Sequence, residues 1–181
     1  MTAADFFKKM KGGAKIPPQV AMVEVLWSWF GATVSIGLCA FLSSYFFEPR
    51  DMFLLIASLG ASAVLVYAAV HSPFSQPRNL IGGHVIGGLV GVFCYQLWGD
   101  TVWLAGSMAV SFTVVAMLLT RTLHPPAGAT ALNAVIGGSK IHSLGYLYPF
   151  VPAGAGAVVL LLVAIVVNNI PKHKKYPEYW F

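Results

Sequence analysis

Long apolar segments, separated by short polar or proline-containing breaks, cover most of the chain between residues 22 and 170. A membrane-spanning helix needs about 20 apolar residues, because the hydrocarbon core of a bilayer is about 30 Å thick. The pattern therefore predicts clear spans at 22–47, 52–70, 80–98, 101–120 and 146–167. The segment 121–138 is also apolar but contains a pair of prolines, so hydropathy alone leaves its crossing open.

Composition strengthens the membrane prediction and excludes other classes. The chain is 57% hydrophobic and 9% charged, whereas a soluble domain carries about a quarter charged residues. A soluble enzyme, a nucleic-acid binder and a secreted disulfide scaffold are therefore excluded. Cys39 and Cys94 lie in apolar runs without a CxxC spacing, so we expect both to be buried and to pack as small hydrophobic residues. We expect no enzymatic activity and no cofactor.

The distribution of charge predicts the topology. Lysines cluster in both tails, at Lys8, Lys9, Lys11, Lys15, Lys172, Lys174 and Lys175. Since basic residues accumulate on the cytoplasmic side, both termini are expected there, which requires an even number of crossings. The segment 121–138 then supplies the sixth. Six crossings place successive loops on opposite sides of the membrane. The loops around Arg78 and Arg121 are then inside, and those around Arg50, Asp100 and Lys140 are outside, which gives nine basic residues inside and two outside.

This topology divides the chain into a basic cytoplasmic tail (1–21), a single transmembrane domain (22–170) and a second cytoplasmic tail (171–181). We expect an all-α protein of a bacterial inner (plasma) membrane.

A weak internal repeat accompanies this topology. Gly60-Ala-Ser-Ala63 and Gly128-Ala-Thr-Ala131 are near copies 68 residues apart, and the same offset lays the third span on the sixth. Halves of three spans, about 22–98 and 101–168, have opposite orientations, as in many secondary transporters. The alternative is that both tetrads are small-residue packing faces, which is the role we expect for Gly83, Gly87 and Gly91.

The tripeptide His124-Pro125-Pro126 is the most unusual feature of the apolar region. Proline fixes φ, has no N–H, favours the first turn of a helix and extends the residue before it. We therefore predict extended chain over 121–125 and a half-helix from about Pro126, although an ordinary kinked helix is an alternative. A half-helix start inside the membrane presents N–H donors and a positive dipole end, which favours an anion.

The predicted anion site combines two such ends. Its candidate residues are Gly60, Ala61, Ser62, His124, Pro125, Pro126, Ala127, Gly128, Ala129 and Thr130, with free N–H groups expected on Ala127, Gly128 and Ala129. Arg78 and Arg121 are expected to attract the anion at the cytoplasmic mouth, or to act only in setting topology. His71 and His84 are candidates for proton-linked roles, because an ionisable residue inside a membrane is a functional candidate.

Two other functions stay open at this point. His71, His84 and His124 would form the ligand set of a metal-dependent intramembrane enzyme, although no HExxH motif or paired carboxylate accompanies them. The protein would alternatively be an assembly subunit that transports nothing.

The motifs together resemble a known family. His124-Pro-Pro-Ala-Gly-Ala-Thr-Ala131, Ser58-Leu-Gly-Ala-Ser-Ala-Val64 and His71-Ser-Pro-Phe-Ser-Gln-Pro-Arg-Asn-Leu-Ile-Gly-Gly-His84 are similar to those of the HPP family of integral membrane proteins. The resemblance continues to Asn168-Asn169 and the tail at 176–180. It implies a membrane protein related to cyanobacterial and chloroplast members to which nitrite transport is assigned. We therefore expect a transporter or channel for a small monovalent anion, nitrite being favoured, embedded in lipid as a homo-oligomer.

Overall fold

The computed structural model describes residues 2–48 and 53–181, and the regular elements of that part are all helical. The α-helices are α1 (Ala3–Lys9), α2 (Met22–Leu42), α3 (Ala57–Ala68), α4 (Pro77–Trp98), α5 (Val102–Thr120), α6 (Pro126–Ile136), α7 (Ser139–His142) and α8 (Ala155–Asn169). Short 3-10 turns occupy Pro73–Ser75 and Gly145–Leu147, and π-helical turns occupy Ser43–Phe47 and Pro149–Gly154. Arg50 and Asp51, which were expected in an outward loop, lie outside the described residues.

Helix length separates two kinds of apolar element. Within the described residues, four helical segments are long and apolar enough to cross a membrane, at Met22–Phe47, Pro77–Trp98, Val102–Thr120 and Gly145–Asn169. In contrast, α3 has 12 residues and α6 has 11. At 1.5 Å per residue they are about 18 Å and 16 Å long, roughly half of the hydrocarbon core. The chain is therefore an all-helical membrane protein with two short apolar helices beside its spans.

Within the predicted second span, 52–70, regular helix covers only Ala57–Ala68. Ile56 is extended, with φ −122° and ψ 150°. The N–H of Leu54 donates to Ser43 Oγ at 3.1 Å instead of to a helical carbonyl. A side chain at the end of α2 thus holds the preceding segment in a non-helical course.

The glycines of α4 form the expected packing face. A Cβ on Gly87 would lie 2.4 Å from the carbonyl oxygen of Ala127, and one on Gly91 would lie 2.5 Å from that of Ala131. At Gly83 it would lie 2.6 Å from the Cβ of His124. Small residues let helices approach closely in lipid. The backbone of α6 therefore lies directly on α4.

The start of α2 and the C-terminal tail meet on one side of the helical bundle. Glu24, at the start of α2, forms ion pairs with His173 and Lys174 of the C-terminal tail. The phenol of Tyr176 donates to the carbonyl of Ser75 at 2.7 Å, which ties the tail to the loop between α3 and α4. The C-terminal tail therefore lies on the same side of the bundle as the start of α2 and the loop between α3 and α4.

Candidate functional site

Two histidines and a serine meet in the interior of the bundle. Ser62 Oγ of α3 lies 2.7 Å from Nε2 of His84 on α4 and 2.8 Å from Nε2 of His124, which precedes α6. All three residues have an exposed fraction of 0%. Ser62 therefore joins the histidines of two different elements through one hydroxyl group.

Two further hydroxyl groups extend this cluster to α6. His84 Nδ1 lies 2.7 Å from Thr130 Oγ1, and Thr130 Oγ1 lies 2.9 Å from Ser58 Oγ. Ser58 and Ser62 are four residues apart and share one face of α3. We call Ser58, Ser62, His84, His124 and Thr130 the central cluster. It connects both short helices to the long helix α4.

A backbone carbonyl defines the protonation of one histidine ring. His124 Nδ1 lies 2.7 Å from the carbonyl oxygen of Phe74, in the loop between α3 and α4. Because a carbonyl oxygen only accepts, Nδ1 of His124 must carry a hydrogen. Its Nε2, which faces Ser62, is then the acceptor of the neutral ring.

Only some residues of each of the two tetrads, 60–63 and 128–131, belong to the central cluster. Their third members, Ser62 and Thr130, are both fully buried within it. Gly60, Ala61 and Ala129 were expected in the site, but they lie on exposed sides of their helices. A helix with 3.6 residues per turn cannot direct successive residues to one neighbour, so only part of each tetrad faces inward.

The start of α6 at Pro126 is confirmed, but its predicted N–H donors are largely used within the turn. The N–H of Ala127 donates to the carbonyl of His124 at 2.9 Å, and that of Gly128 donates to the carbonyl of Pro125 at 3.1 Å. This happens because Pro125 is helical, with φ −51° and ψ −39°, and not extended as predicted.

The predicted extended segment is also shorter at its other end. Arg121 is in the left-handed region, with φ 57° and ψ 40°, where it ends α5. The connection between α5 and α6 is therefore 121–125, in which Arg121 and Pro125 are turn residues and only 122–124 belong to neither a turn nor a helix. Donors at the centre of the bundle come mainly from the side chains of the central cluster.

Arg78 and Arg121 lie at the end of α5 that faces the C-terminal tail. Arg78 Nη2 donates to the carbonyl of Thr120 at 2.8 Å, and Arg121 is exposed. Their role at the mouth of a pathway stays a prediction.

His71 does not join the other histidines. It is exposed, and its Nδ1 lies 2.6 Å from Glu178 Oε1 in the C-terminal tail. Across residues 2–48 and 53–181, no group of three or more His, Cys, Asp or Glu side chains is placed to hold a metal ion. The three-histidine ligand set of the enzyme alternative is therefore wrong. Cys39 and Cys94 are buried free cysteines, as predicted.

Sequence reasoning missed several partners of the central cluster. Ser58 was not proposed as a site residue, although its spacing of four from Ser62 was a usable signal. Tyr148 was also missed; its hydroxyl donates to the carbonyl of Thr130 at 3.0 Å and accepts from Asn133 Nδ2 at 3.2 Å. Tyr148 belongs to none of the quoted motifs, and Phe74, although it lies within the motif from His71 to His84, contributes a backbone carbonyl that no side-chain pattern reveals.

Long apolar helices around a buried polar cluster define a polytopic membrane protein. The chain belongs to the HPP family, since the model of the HPP transmembrane region matches residues 17–177. It is 37% identical over 179 residues to a Dictyostelium discoideum protein named only as a transmembrane protein, with 97% of this chain and 57% of the relative covered. A second such protein of that organism is 36% identical over 186 residues, with 100% and 65% covered.

The chain spans about three fifths of the length of these two relatives. Their names state no substrate. No solved structure matches the chain.

Proposed function

We propose that this protein transports a small monovalent anion across the membrane, that nitrite is its substrate, and that it is not an enzyme. The observation that carries the proposal is the pair of short helices, α3 and α6, which meet at the buried central cluster. Interrupted helices that meet inside the membrane are the usual setting of substrate sites in secondary transporters. Nitrite is favoured by the activity assigned to cyanobacterial and chloroplast members of the family.

The topology that we propose has six crossings in two inverted halves, with both termini in the cytoplasm of a bacterial cell. Each short helix completes its crossing with non-helical chain, namely 53–56 before α3 and 122–124 before α6. The two helices begin 69 residues apart, within one residue of the 68-residue repeat. The ion pairs between Glu24 and the C-terminal tail support an even number of crossings.

The chemistry of the central cluster suits a weakly bound anion. Its groups are hydroxyls and imidazoles, and among the described residues no carboxylate is hydrogen bonded to it. Since Ser62, His84, His124 and Thr130 have no exposed surface, the anion reaches them only after α3 and α6 move apart. The described arrangement is then an occluded state of the transporter.

Uptake by reconstituted vesicles tests this function. The purified full chain is placed in liposomes, and entry of nitrite, nitrate, formate and chloride is compared with entry into protein-free liposomes. Saturable nitrite uptake is expected. The variant Gly37→Ala is a matched control, because a Cβ there meets nothing within 4 Å. If none of the four anions enters faster than in protein-free liposomes, transport of this class is refuted.

A second candidate is an assembly subunit that transports nothing. The side-chain hydrogen bonds of the central cluster connect α3, α4 and α6, which is also what a purely structural network does. In either case we expect a homo-oligomer, because Ala57, Gly60 and Ala61 leave an exposed small-residue face on α3. Chemical crosslinking in native membranes, followed by mass determination, tests the oligomer.

A further inference from the structure

We propose that Ser62 is a hydrogen-bond switch through which the His84–His124 pair takes up one proton with each transported anion. The protein would then be a proton–anion symporter. This inference rests on the proposed anion transport and adds the identity of the coupling ion. It follows from the directions that the hydrogen bonds of the central cluster must have.

The directions in the neutral cluster start at the carbonyl of Phe74. That carbonyl accepts from Nδ1–H of His124 at 2.7 Å, so Nε2 of the neutral ring carries a lone pair. The group facing this lone pair is the hydroxyl of Ser62, at 2.8 Å. Ser62 therefore donates its only hydrogen to His124.

The remaining directions follow one after another. Because the hydrogen of Ser62 is used, Ser62 Oγ accepts from Nε2–H of His84 at 2.7 Å. Nδ1 of a neutral His84 is then an acceptor, and Thr130 Oγ1 donates to it at 2.7 Å. Thr130 Oγ1 is also placed to donate to Ser58 Oγ at 2.9 Å, so its one hydrogen has two acceptors to choose from, His84 Nδ1 and Ser58 Oγ. The two histidines thus have opposite tautomers, Nδ1–H in His124 and Nε2–H in His84.

A third hydrogen-bond partner of Ser62 allows His124 to bind one added proton. The carbonyl oxygen of Ser58 lies 3.1 Å from Ser62 Oγ and is an alternative acceptor for its hydrogen. When a proton binds the Nε2 lone pair of His124, the hydroxyl of Ser62 rotates toward that carbonyl. Its two lone pairs then accept from Nε2–H of both histidines. The proton adds to one nitrogen, no covalent bond breaks, and no donor of this group loses its acceptor.

The surroundings of the pair explain why an anion must accompany the proton. The other titratable groups near it are the phenol of Tyr148, bonded to the carbonyl of Thr130, and that of Tyr176, bonded to the carbonyl of Ser75. Arg78, at the start of α4, adds only positive charge, and α5 contributes the thioether of Met117, which accepts from the N–H of His124 at 3.4 Å.

Within the described residues, no carboxylate is hydrogen bonded to this group to neutralise an imidazolium. A buried unpaired charge is strongly unfavourable, as is a buried anion without a partner. The proton and the anion therefore occupy the site together and cross as a neutral pair.

Transport driven by a pH gradient alone tests the coupling. Liposomes contain the full chain, equal nitrite concentrations on both sides and a clamped membrane potential, with the outside made acidic. Coupled transport accumulates nitrite toward a limit of about tenfold per pH unit. Since nitrous acid also diffuses through lipid, the initial rate in protein-free liposomes is subtracted.

Three variants make this transport test specific. Loss of gradient-driven uptake is expected in Ser62→Ala, which removes the switch. Ser62→Thr, which keeps the hydroxyl, is expected to restore part of the uptake that Ser62→Ala loses, and Ser107→Ala, whose exposed hydroxyl only contacts the carbonyl of Trp103, is the control with unchanged uptake. If the wild type moves nitrite down its own gradient but shows no protein-dependent uptake with a pH gradient alone, the coupling is refuted while transport stands. If no nitrite moves at all, the proposed function itself fails.

Nitrogen NMR tests the switch without transport. The full chain, labelled with 15N-histidine, is examined in bilayers, and the ring signals are assigned with His84→Gln and His124→Gln. Opposite tautomers are expected near neutral pH, and one doubly protonated ring is expected when nitrite is added at mildly acidic pH. Identical tautomers, or the same protonation with and without nitrite, would overturn the inference even if Ser62→Ala fails to fold.

Discussion

The close contact of α4 with α6 leads to a prediction whose magnitude follows from the structure. The substitution Gly87→Ala adds a Cβ 2.4 Å from the carbonyl oxygen of Ala127 and 3.2 Å from its carbonyl carbon. Ordinary van der Waals contacts of a Cβ begin at 3.4 Å. The two backbones must therefore separate by about 1 Å, and overpacking of this kind costs about 1–3 kcal/mol.

A matched glycine in an open position isolates this effect. The Cβ introduced by Gly37→Ala in α2 meets nothing within 4 Å. Alanine is favoured over glycine in a helix by about 0.5–1 kcal/mol, so this control is expected to be slightly more stable than the wild type. Because Gly87 also lies inside a helix, the same gain applies to both variants and cancels, so their free energies of unfolding should differ by the overpacking cost of about 1–3 kcal/mol.

Reversible unfolding in mixed micelles, followed by circular dichroism, measures this difference. The same variants are then compared for nitrite uptake, because separation of α4 from α6 also lengthens the 2.7 Å contact between His84 and Thr130. We expect slower uptake only for Gly87→Ala. Equal unfolding free energies for Gly87→Ala and Gly37→Ala would refute the close approach of these helices.

Two further predictions concern single hydroxyl groups. Thr130→Val keeps the shape but leaves Nδ1 of buried His84 without a donor, so unfolding titrations should show a loss of about 1–3 kcal/mol, whereas Thr130→Ser should stay near wild type. Burial raises the pKa of Tyr176 above its usual value near 10. The neutral phenol therefore stabilises the docked tail fully below about pH 10. This contribution is lost as the pH rises above that value. Trp180 fluorescence should report this alkaline release, and Tyr176→Phe, which cannot ionise or bond Ser75, should abolish the step; an unchanged step would contradict the assignment.

Much of the fold was predictable from local patterns. Hydropathy located the long spans, and the proline pair located the start of α6 at Pro126, because missing N–H groups and fixed φ act within a few residues. The glycine face at Gly83, Gly87 and Gly91 was also predictable, since its spacing of four places it on one side of a helix.

The late start of α3 was not predictable in the same way. The segment from residue 52 to 70 has no charged residue and is mainly apolar, so hydropathy favours one continuous helix. The hydroxyl of Ser43, at the end of α2, takes the N–H of Leu54. That contact depends on how two elements meet, and no pattern within 52–70 contains it.

Local patterns alone are enough to predict a helical membrane protein that resembles the HPP family and has a short helix starting at a proline. Hydropathy, helix periodicity and proline geometry act over short stretches of chain, so the sequence expresses them directly. Only the tertiary structure brought Ser62, His84 and His124 within hydrogen-bond distance and left His71 at the surface. Hydrogen bonds between side chains 22 or 62 residues apart depend on the packing of separate helices, and packing is a property of the whole fold.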